Sequence, residues 1–231
     1  MDVKRKITVS IGVFSSILII IIIYFVYSDA SYLLQENQKE IMNIQLDRVS
    51  ENISYLMEVN EKETEKLSID TQVDNYFYKK ITSRQLNEYL IELMNSKNED
   101  NYYKDFFILN KDGKMVSTTM KSAEHLDLST RPYFKLAKEN RKTVSSNILI
   151  AKSDGELIVI TLTPIMEKKN IIAYAGIAIK AEFFSKFINK IKLGNNGYYI
   201  IVDSNGFIIS HPNKELITTN IQNLNISNES N

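Results

Sequence analysis

An uncharged apolar run near the amino terminus, from Ile7 to Tyr27, constrains this chain most. As an α-helix it would be roughly 31 Å long at 1.5 Å per residue, which matches a hydrocarbon core of about 30 Å. The sequence therefore predicts a membrane-spanning helix over residues 7–28. A cleaved signal peptide is the alternative, but the run is longer than an ordinary signal-peptide core, and no small-residue cleavage site follows it.

The charges on either side of this run predict its orientation. Lys4, Arg5 and Lys6 precede it, and Asp29 follows it. Because positively charged flanks stay in the cytoplasm, we expect residues 1–6 to form a cytoplasmic tail. Everything after Asp29 should then lie outside the cytoplasm, as part of a single-pass protein of the cell membrane.

The composition excludes several classes of function for the rest of the chain. The 28 basic and 28 acidic residues cancel, so a basic face for nucleic acid is not expected. The absence of cysteine excludes disulfides, thiolate nucleophiles and cysteine-ligated metals. The two histidines, His125 and His211, lack the spacing of paired metal ligands, and no phosphate-binding, dinucleotide or nucleophile-elbow motif occurs. We therefore expect no catalysis, no metal and no cofactor.

Residues 29–100 are predicted to form a helical stalk followed by shorter helices. Nothing breaks a helix from Ala30 to about Ser68, and a further helix should begin near Ser83. The stalk carries an apolar stripe at heptad-like spacing, which consists of Met42, Leu46, Val49, Ile53 and Leu56. The stripe could pack on its own domain or pair with a second copy in a homodimer, and the two interpretations are compatible.

Two segments with the same pattern predict two β-hairpins. Asp112-Gly113 and Asn205-Gly206 each stand between apolar runs, and such pairs favour tight turns because glycine accepts a positive φ. The predicted strands are Phe106–Leu109 with Met115–Thr118 in the first hairpin, and Tyr198–Val202 with Phe207–Ser210 in the second. A lone hairpin is marginally stable, so each should belong to a larger sheet.

The segment between the hairpins completes an α+β domain over residues 101–180. Ser129 or Thr130 is expected to cap a short helix with Pro132 in its first turn. Three strands should follow, which gives a five-stranded antiparallel sheet with helices on one side. Residues 181–231 would supply a connecting helix, with a stripe of Phe183, Phe187 and Ile191, and the start of a second sheet.

This order of parts, with Arg131-Pro132-Tyr133-Phe134 and the segment from Gly197 to Pro212, resembles a double Cache sensor domain. Such PAS-like domains are extracytoplasmic input domains of methyl-accepting chemotaxis proteins and of some histidine kinases and diguanylate cyclases. The resemblance implies a membrane-distal pocket over the first sheet and dimerisation through the long helix. It covers roughly Asp29 to Pro212.

The resemblance also implies a site for a small, anionic ligand. Arg131 would clamp the anion with its guanidinium fork, unless it pairs with a neighbouring carboxylate such as Asp127. The candidate ligand-binding residues are Arg131, Tyr133, Phe134, Thr161 and Thr163. Amino-acid-sensing members carry a tyrosine five residues before the arginine and an aspartate after the last distal strand. Leu126 and Lys180-Ala181 stand here instead, so an α-amino group would lose its carboxylate partner.

The expected function is small-molecule sensing for chemotaxis or another signalling pathway. The alternatives are a sensor of a histidine kinase or diguanylate cyclase, and a structural coiled-coil protein of the membrane that senses nothing. A tethered hydrolase is a further class. Because residues 213–231 are polar and Asn-rich, we also expect the chain to be the input half of a longer receptor, truncated before a second membrane helix. A short regulator that pairs with a full-length receptor is the alternative.

Overall fold

The structure, a computed structural model, describes residues 3–98, 101–184, 197–203 and 205–224. The helices are α1 (Val3–Ser68), α2 (Thr71–Phe77), α3 (Ser83–Lys97) and α4 (Pro132–Asn140). The strands are β1 (Tyr103–Asn110), β2 (Met115–Thr118), β3 (Val144–Ser145), β4 (Leu149–Ile150), β5 (Leu157–Glu167), β6 (Asn170–Lys180), β7 (Ile201–Val202) and β8 (Ile208–Ser210). Short 3₁₀ turns cover Lys121–Ala123, Lys214–Leu216 and Ile221–Asn223.

The chain divides into two units, Met1–Arg48 and Val49–Asn231. The described part of the first unit lies within α1, and its apolar side chains from Ile17 to Tyr27 are exposed. The described part of α1 contains a stretch with a mean hydropathy of 2.4, which is long and apolar enough to cross a membrane. The membrane-spanning interpretation of residues 7–28 therefore agrees with the helix in length and composition.

Local side-chain contacts determine where the short helices begin. The Asp70 carboxylate accepts a hydrogen bond from the backbone N–H of Gln72 at the start of α2. At the start of α3, Thr82 and Gln85 form a reciprocal capping box, in which each side chain accepts from the other residue's backbone N–H. The prediction of a helix beginning near Ser83 is confirmed.

The first sheet is antiparallel and has six strands, in the order β2-β1-β6-β5-β3, with β4 also paired to β5. The expected count of five was therefore too low, because the segment before β5 forms two short strands. The expectation of helices on one side was also wrong. One apolar cluster joins α1, α2 and α3 to one face, and a second cluster joins α4 to the other face.

Helix α4 begins differently from the prediction. Its N-cap residue is Arg131, which makes no side-chain capping bond, so neither Ser129 nor Thr130 caps it. Pro132 occupies the first turn as expected, where its missing N–H costs no hydrogen bond. The helix ends at Asn140, and the C-cap residue Arg141 adopts a left-handed conformation with φ of 54°.

The two hairpins share one turn chemistry at positions whose numbers differ by 93. The Asn110 side chain accepts from the backbone N–H of Asp112 and of Lys114, at 3.0 Å each. Asp203 accepts from Asn205 and Phe207 in the same way, at 2.9 Å each.

The similarity extends beyond the turns. The carbonyl of Gly113 accepts from the N–H of Leu128, as that of Gly206 accepts from Ile221. Both glycines have a φ near 84°, and a 3₁₀ turn occurs at the equivalent place in each copy. The predicted repeat of two hairpins is confirmed as a repeat of structure.

The apolar stripe of α1 is partly used within its own domain. Val49 is buried, and Ile53 and Leu56 pack against the first apolar cluster. Leu46 remains 44% exposed. In the predicted connecting helix, Phe183 packs against the same cluster, while Phe187 and Ile191 lie outside the described residues.

The contact between Gly176 and Phe107 gives a test of the packing. A Cβ atom added at Gly176 would lie 2.2 Å from the Phe107 ring, which is buried. We expect Gly176→Ala to lower the free energy of unfolding by about 3 kcal/mol because the added methyl group forces this buried ring to shift. Thermal unfolding of the full chain in detergent, followed by circular dichroism, measures this.

A matched double variant serves as the control. Adding Phe107→Leu to Gly176→Ala removes the clashing ring atoms, so it should recover part of the lost stability. An unchanged melting midpoint for Gly176→Ala alone would contradict the packing described here.

Candidate ligand-binding site

A small cavity of about 40 Å³ lies on the α4 face of the first sheet. Its floor comes from residues that point to this face, such as Phe107 of β1, Ile158 of β5 and Ala178 of β6. The start of α4 covers it, and the segment from Leu149 to Ser153 forms a wall. Most of the lining side chains are apolar, so polar groups that reach the cavity are poorly solvated.

Arg131 and Tyr133 bring two unsatisfied polar groups to this cavity. The Nε of Arg131 and the hydroxyl of Tyr133 are buried and have no hydrogen-bond partner, and both residues line the cavity. Burial raises the pKa of the Tyr133 hydroxyl to about 12, so it stays protonated and can donate. A buried donor without a partner costs free energy, which a bound acceptor would recover.

The other end of the Arg131 guanidinium makes a long hydrogen bond. Its Nη2 donates to the carbonyl of Ile150 at 3.4 Å. The ion pairs found in the described ranges do not include it, and Asp127 instead accepts from the backbone N–H of Ser129. The interpretation of Arg131 as the structural partner of Asp127 therefore finds no support in the geometry.

Phe134 is placed next to the cavity but does not line it. Its ring packs on Tyr174 with the ring centroids 4.8 Å apart, and it is 3% exposed. Phe134 belongs to the apolar cluster that fixes α4 on the sheet. The structure thus gives it a packing position rather than the ligand-facing position that was predicted.

The expected position of Thr161 and Thr163 at the cavity is wrong. Side chains alternate between faces along β5, so Ile158 and Ile160 point to the cavity and the two threonines point to α1. The Asn60 side chain of α1 donates to the Thr161 hydroxyl at 2.6 Å. The alternation of β5 was predicted, but the assignment of its two faces to cavity and helix was reversed.

The two threonines instead belong to a hydroxyl ladder between the sheet and α1. Ser145 contacts Thr161 at 2.8 Å and donates to Glu61 at 2.9 Å. One step along, Thr143 contacts Thr163 at 3.1 Å and donates to Glu65 at 2.8 Å. These pairs attach the edge of the sheet at β3 to α1 through side chains alone.

Asp105, which was not predicted to be a site residue, lines the cavity and is 5% exposed. Its carboxylate accepts hydrogen bonds from the hydroxyls of Thr118 and Thr119 and from the backbone N–H of Thr119, at 2.7–2.9 Å. Burial, the largest cause, raises the pKa of Asp105 from 3.8 to about 6, although these hydrogen bonds lower it. A charged residue directly before the apolar run Phe106–Leu109 was the available signal.

Two lysines also line the cavity without having been predicted. Lys104 contacts the carboxylates of Asp154 and Glu156. Burial lowers the pKa of the Lys104 amine, but these contacts outweigh it and raise the pKa overall. Lys152 donates to the carbonyl of Asp127 at 3.1 Å. Because Lys104 is already paired, Arg131 and Lys152 are the lining cations without an ion pair in the described ranges, and they favour an anion.

The buried carboxyl group gives a test in pH. Because its pKa is higher in the folded chain than in the unfolded chain, the folded state binds the proton more tightly between about pH 4 and 6. Stability should therefore fall by about 3 kcal/mol relative to Asp105→Asn as the pH rises through this window, and stay level above it. Denaturant unfolding of both proteins over this range measures the difference. A stability difference between the two proteins that does not change with pH would show that the pKa of Asp105 is the same in the folded and the unfolded chain.

Comparison with known proteins identifies the family. Residues 30–230 match the Cache domain. The methyl-accepting chemotaxis protein PscA of Pseudomonas syringae pv. tomato is 30% identical over 95 residues, which are 41% of this chain and 15% of that protein. The chain thus spans only a small part of the length of such relatives.

Two solved structures show the same fold. The ligand-binding domain of the Campylobacter jejuni chemoreceptor Tlp3, in complex with 4-methylisoleucine, has a TM-score of 0.63 at 17% identity, covering 83% of this chain and 75% of that one. The sensor domain of the Vibrio cholerae histidine kinase DctB has a TM-score of 0.64 at 14% identity, covering 80% and 70%. With most of its length matched by the family, the chain belongs to the Cache domain family.

Proposed function

We propose that this chain is the sensing module of a membrane-anchored signalling receptor and binds a small anion in the cavity under α4. The observation that carries the proposal is the pair of buried, unpartnered groups on Arg131 and Tyr133, which line an apolar cavity. An arginine N–H and a tyrosine hydroxyl match the acceptor oxygens of a carboxylate. Low local polarity strengthens such an ion pair relative to one on the surface.

The relatives support sensing as the role. PscA is a methyl-accepting chemotaxis protein, and the Tlp3 domain is a chemoreceptor domain that holds 4-methylisoleucine. We propose chemotaxis-type signalling as the main function for this chain. The DctB structure, from a histidine kinase, favours a second candidate in which the same module controls a kinase.

Binding without catalysis is part of the proposal. The described residues contain no group of three or more histidine, aspartate or glutamate side chains that would hold a metal.

The proposed topology places residues 1–6 in the cytoplasm and the sheet domain outside, since Lys4, Arg5 and Lys6 precede the apolar part of α1.

Replacing Arg131 tests the anion site. We expect Arg131→Ala to abolish binding, because the guanidinium supplies the charge that holds the ligand. A panel of small carboxylates, amino acids and amines is added to the full chain in detergent, and the melting temperature is measured. At a hundred times its Kd, a ligand should stabilise the wild type by about 2.7 kcal/mol and the variant not at all.

The control is Arg84→Ala, since Arg84 is exposed and pairs only with Glu88 on α3 among its described contacts. This variant should bind like the wild type. A large loss of stability in ligand-free Arg131→Ala would show a structural role for Arg131. The absence of any stabilising compound in a broad panel would favour the structural coiled-coil alternative.

We also propose a homodimer formed through α1. Among the residues of the stripe, Val49, Ile53 and Leu56 are at least half-buried in their own domain, whereas Leu46 stays 44% exposed. Exposed apolar residues at heptad-like spacing are typical of a helix that pairs with another. The free part of the stripe, with Met42 and Leu46, would form the seam.

Cysteine cross-linking tests this seam without background, because the chain has no cysteine of its own. Leu46→Cys in membranes should form a covalent dimer on mild oxidation, since a seam residue faces its own copy across the two-fold axis. Glu51→Cys, on another face of α1, should cross-link much less. Equal cross-linking of both variants would contradict the proposed seam.

A further inference from the structure

The size and chemistry of the cavity also restrict which anion it takes. We infer that the ligand is a short aliphatic monocarboxylate without an amino group, in the size range of acetate to butyrate. The inference rests on the proposed function of the same site. It adds a specificity that the described lining residues produce together.

Volume sets the first limit. A water molecule needs roughly 10–15 Å³ of cavity volume, so this cavity of about 40 Å³ accommodates only a few heavy atoms. Among the side chains that line the cavity, Met115, Leu126 and Leu149 are apolar and can contact an alkyl chain. Methionine is adaptable enough to admit one or two more carbons, but the buried sheet floor is rigid.

The second limit is the pair of free donors. Arg131 Nε and the Tyr133 hydroxyl are the buried side-chain groups of the cavity lining that lack partners, within the ranges that the structure describes. Two donors on one side of an apolar space suit one carboxylate. A second carboxylate on the ligand would have to compete for Lys104, which already pairs with Asp154 and Glu156, or for Lys152, which donates to the carbonyl of Asp127.

The third limit is the lack of a free acceptor for an ammonium group. Asp105 is the only acidic side chain among the described lining residues, and its oxygens already accept from Thr118 and Thr119. Asp154 and Glu156 are occupied by Lys104. An amino acid would therefore bury its ammonium group next to Arg131 without a carboxylate partner. This burial costs more free energy than the additional contacts contribute.

Three compounds of matched shape separate these limits. Propionate, L-alanine and propionamide share a three-carbon skeleton, and alanine adds only an ammonium group while propionamide lacks the charge. Calorimetric titration of the full chain in nanodiscs should show binding of propionate. Alanine and propionamide should bind at least about tenfold more weakly, because each leaves a buried group unpaired.

Tyr133→Phe is the matched protein variant, since it removes one hydroxyl and no volume. It should weaken propionate binding by about tenfold and leave the ligand-free melting temperature unchanged or higher, because the lost hydroxyl has no partner. A lower melting temperature with unchanged affinity would show that the hydroxyl serves folding and would overturn its assignment to the ligand.

The outcomes distinguish this inference from the proposed function. If alanine binds as tightly as propionate, and Arg131→Ala abolishes that binding, the anion site stands and the specificity inferred here is wrong. Tighter binding of octanoate than of propionate would overturn the size limit in the same way. If neither acids nor amino acids bind the folded chain, both the inference and the proposed function fail.

Discussion

The position of β6 in the middle of the first sheet is the constraint on which the rest of the domain depends. Both faces of this strand are covered, and its side chains alternate between them. Ala175 and Ile177 belong to the apolar cluster under α1, α2 and α3, whereas Tyr174 and Ala178 belong to the cluster under α4. A slip of one residue would exchange these sets, so packing on two sides fixes the register of every strand paired with β6.

Gly176 shows how closely this register is specified. It lies opposite Phe107 in the pairing of β1 with β6, and the Phe107 ring covers the space that a side chain would fill. A glycine inside a strand weakens it unless another group approaches closely, and here the ring does. Phe107 also lines the cavity, so the cavity lies next to this contact. The shape of the binding site therefore follows from the same packing that holds the sheet together.

The sequence was sufficient for the parts that depend on local chemistry. Asp112-Gly113 and Asn205-Gly206 predicted both turns because glycine at positive φ, with an acceptor side chain nearby, closes a hairpin without help from the rest of the fold. Pro132 at the start of α4 was likewise predictable from its fixed φ. The placement of Arg131 and Tyr133 at a cavity came from the family resemblance.

The features that could not be predicted from the sequence depend on contacts between distant segments. Alternation along β5 divides its residues into two sets but does not say which set faces α1, where Asn60, far away in sequence, donates to Thr161. Asp105 reads as an ordinary charged residue until Thr118 and Thr119 are placed beside it across the hairpin. The strand β3, which was not predicted, is too short to give a period, and it exists because β5 offers it an edge.

The hydroxyl ladder at β3 has a consequence for the distribution of stability within the domain. The apolar faces hold the sheet to its helices over many buried side chains, but Thr143 and Ser145 hold β3 to α1 through a few neutral or charge-assisted hydrogen bonds. Each contributes only about 1 kcal/mol net, because water competes for the same groups. The same stretch of chain continues into the cavity wall at Leu149. Local opening of the segment that joins the cavity wall to α1 should therefore cost less free energy than separating the apolar faces.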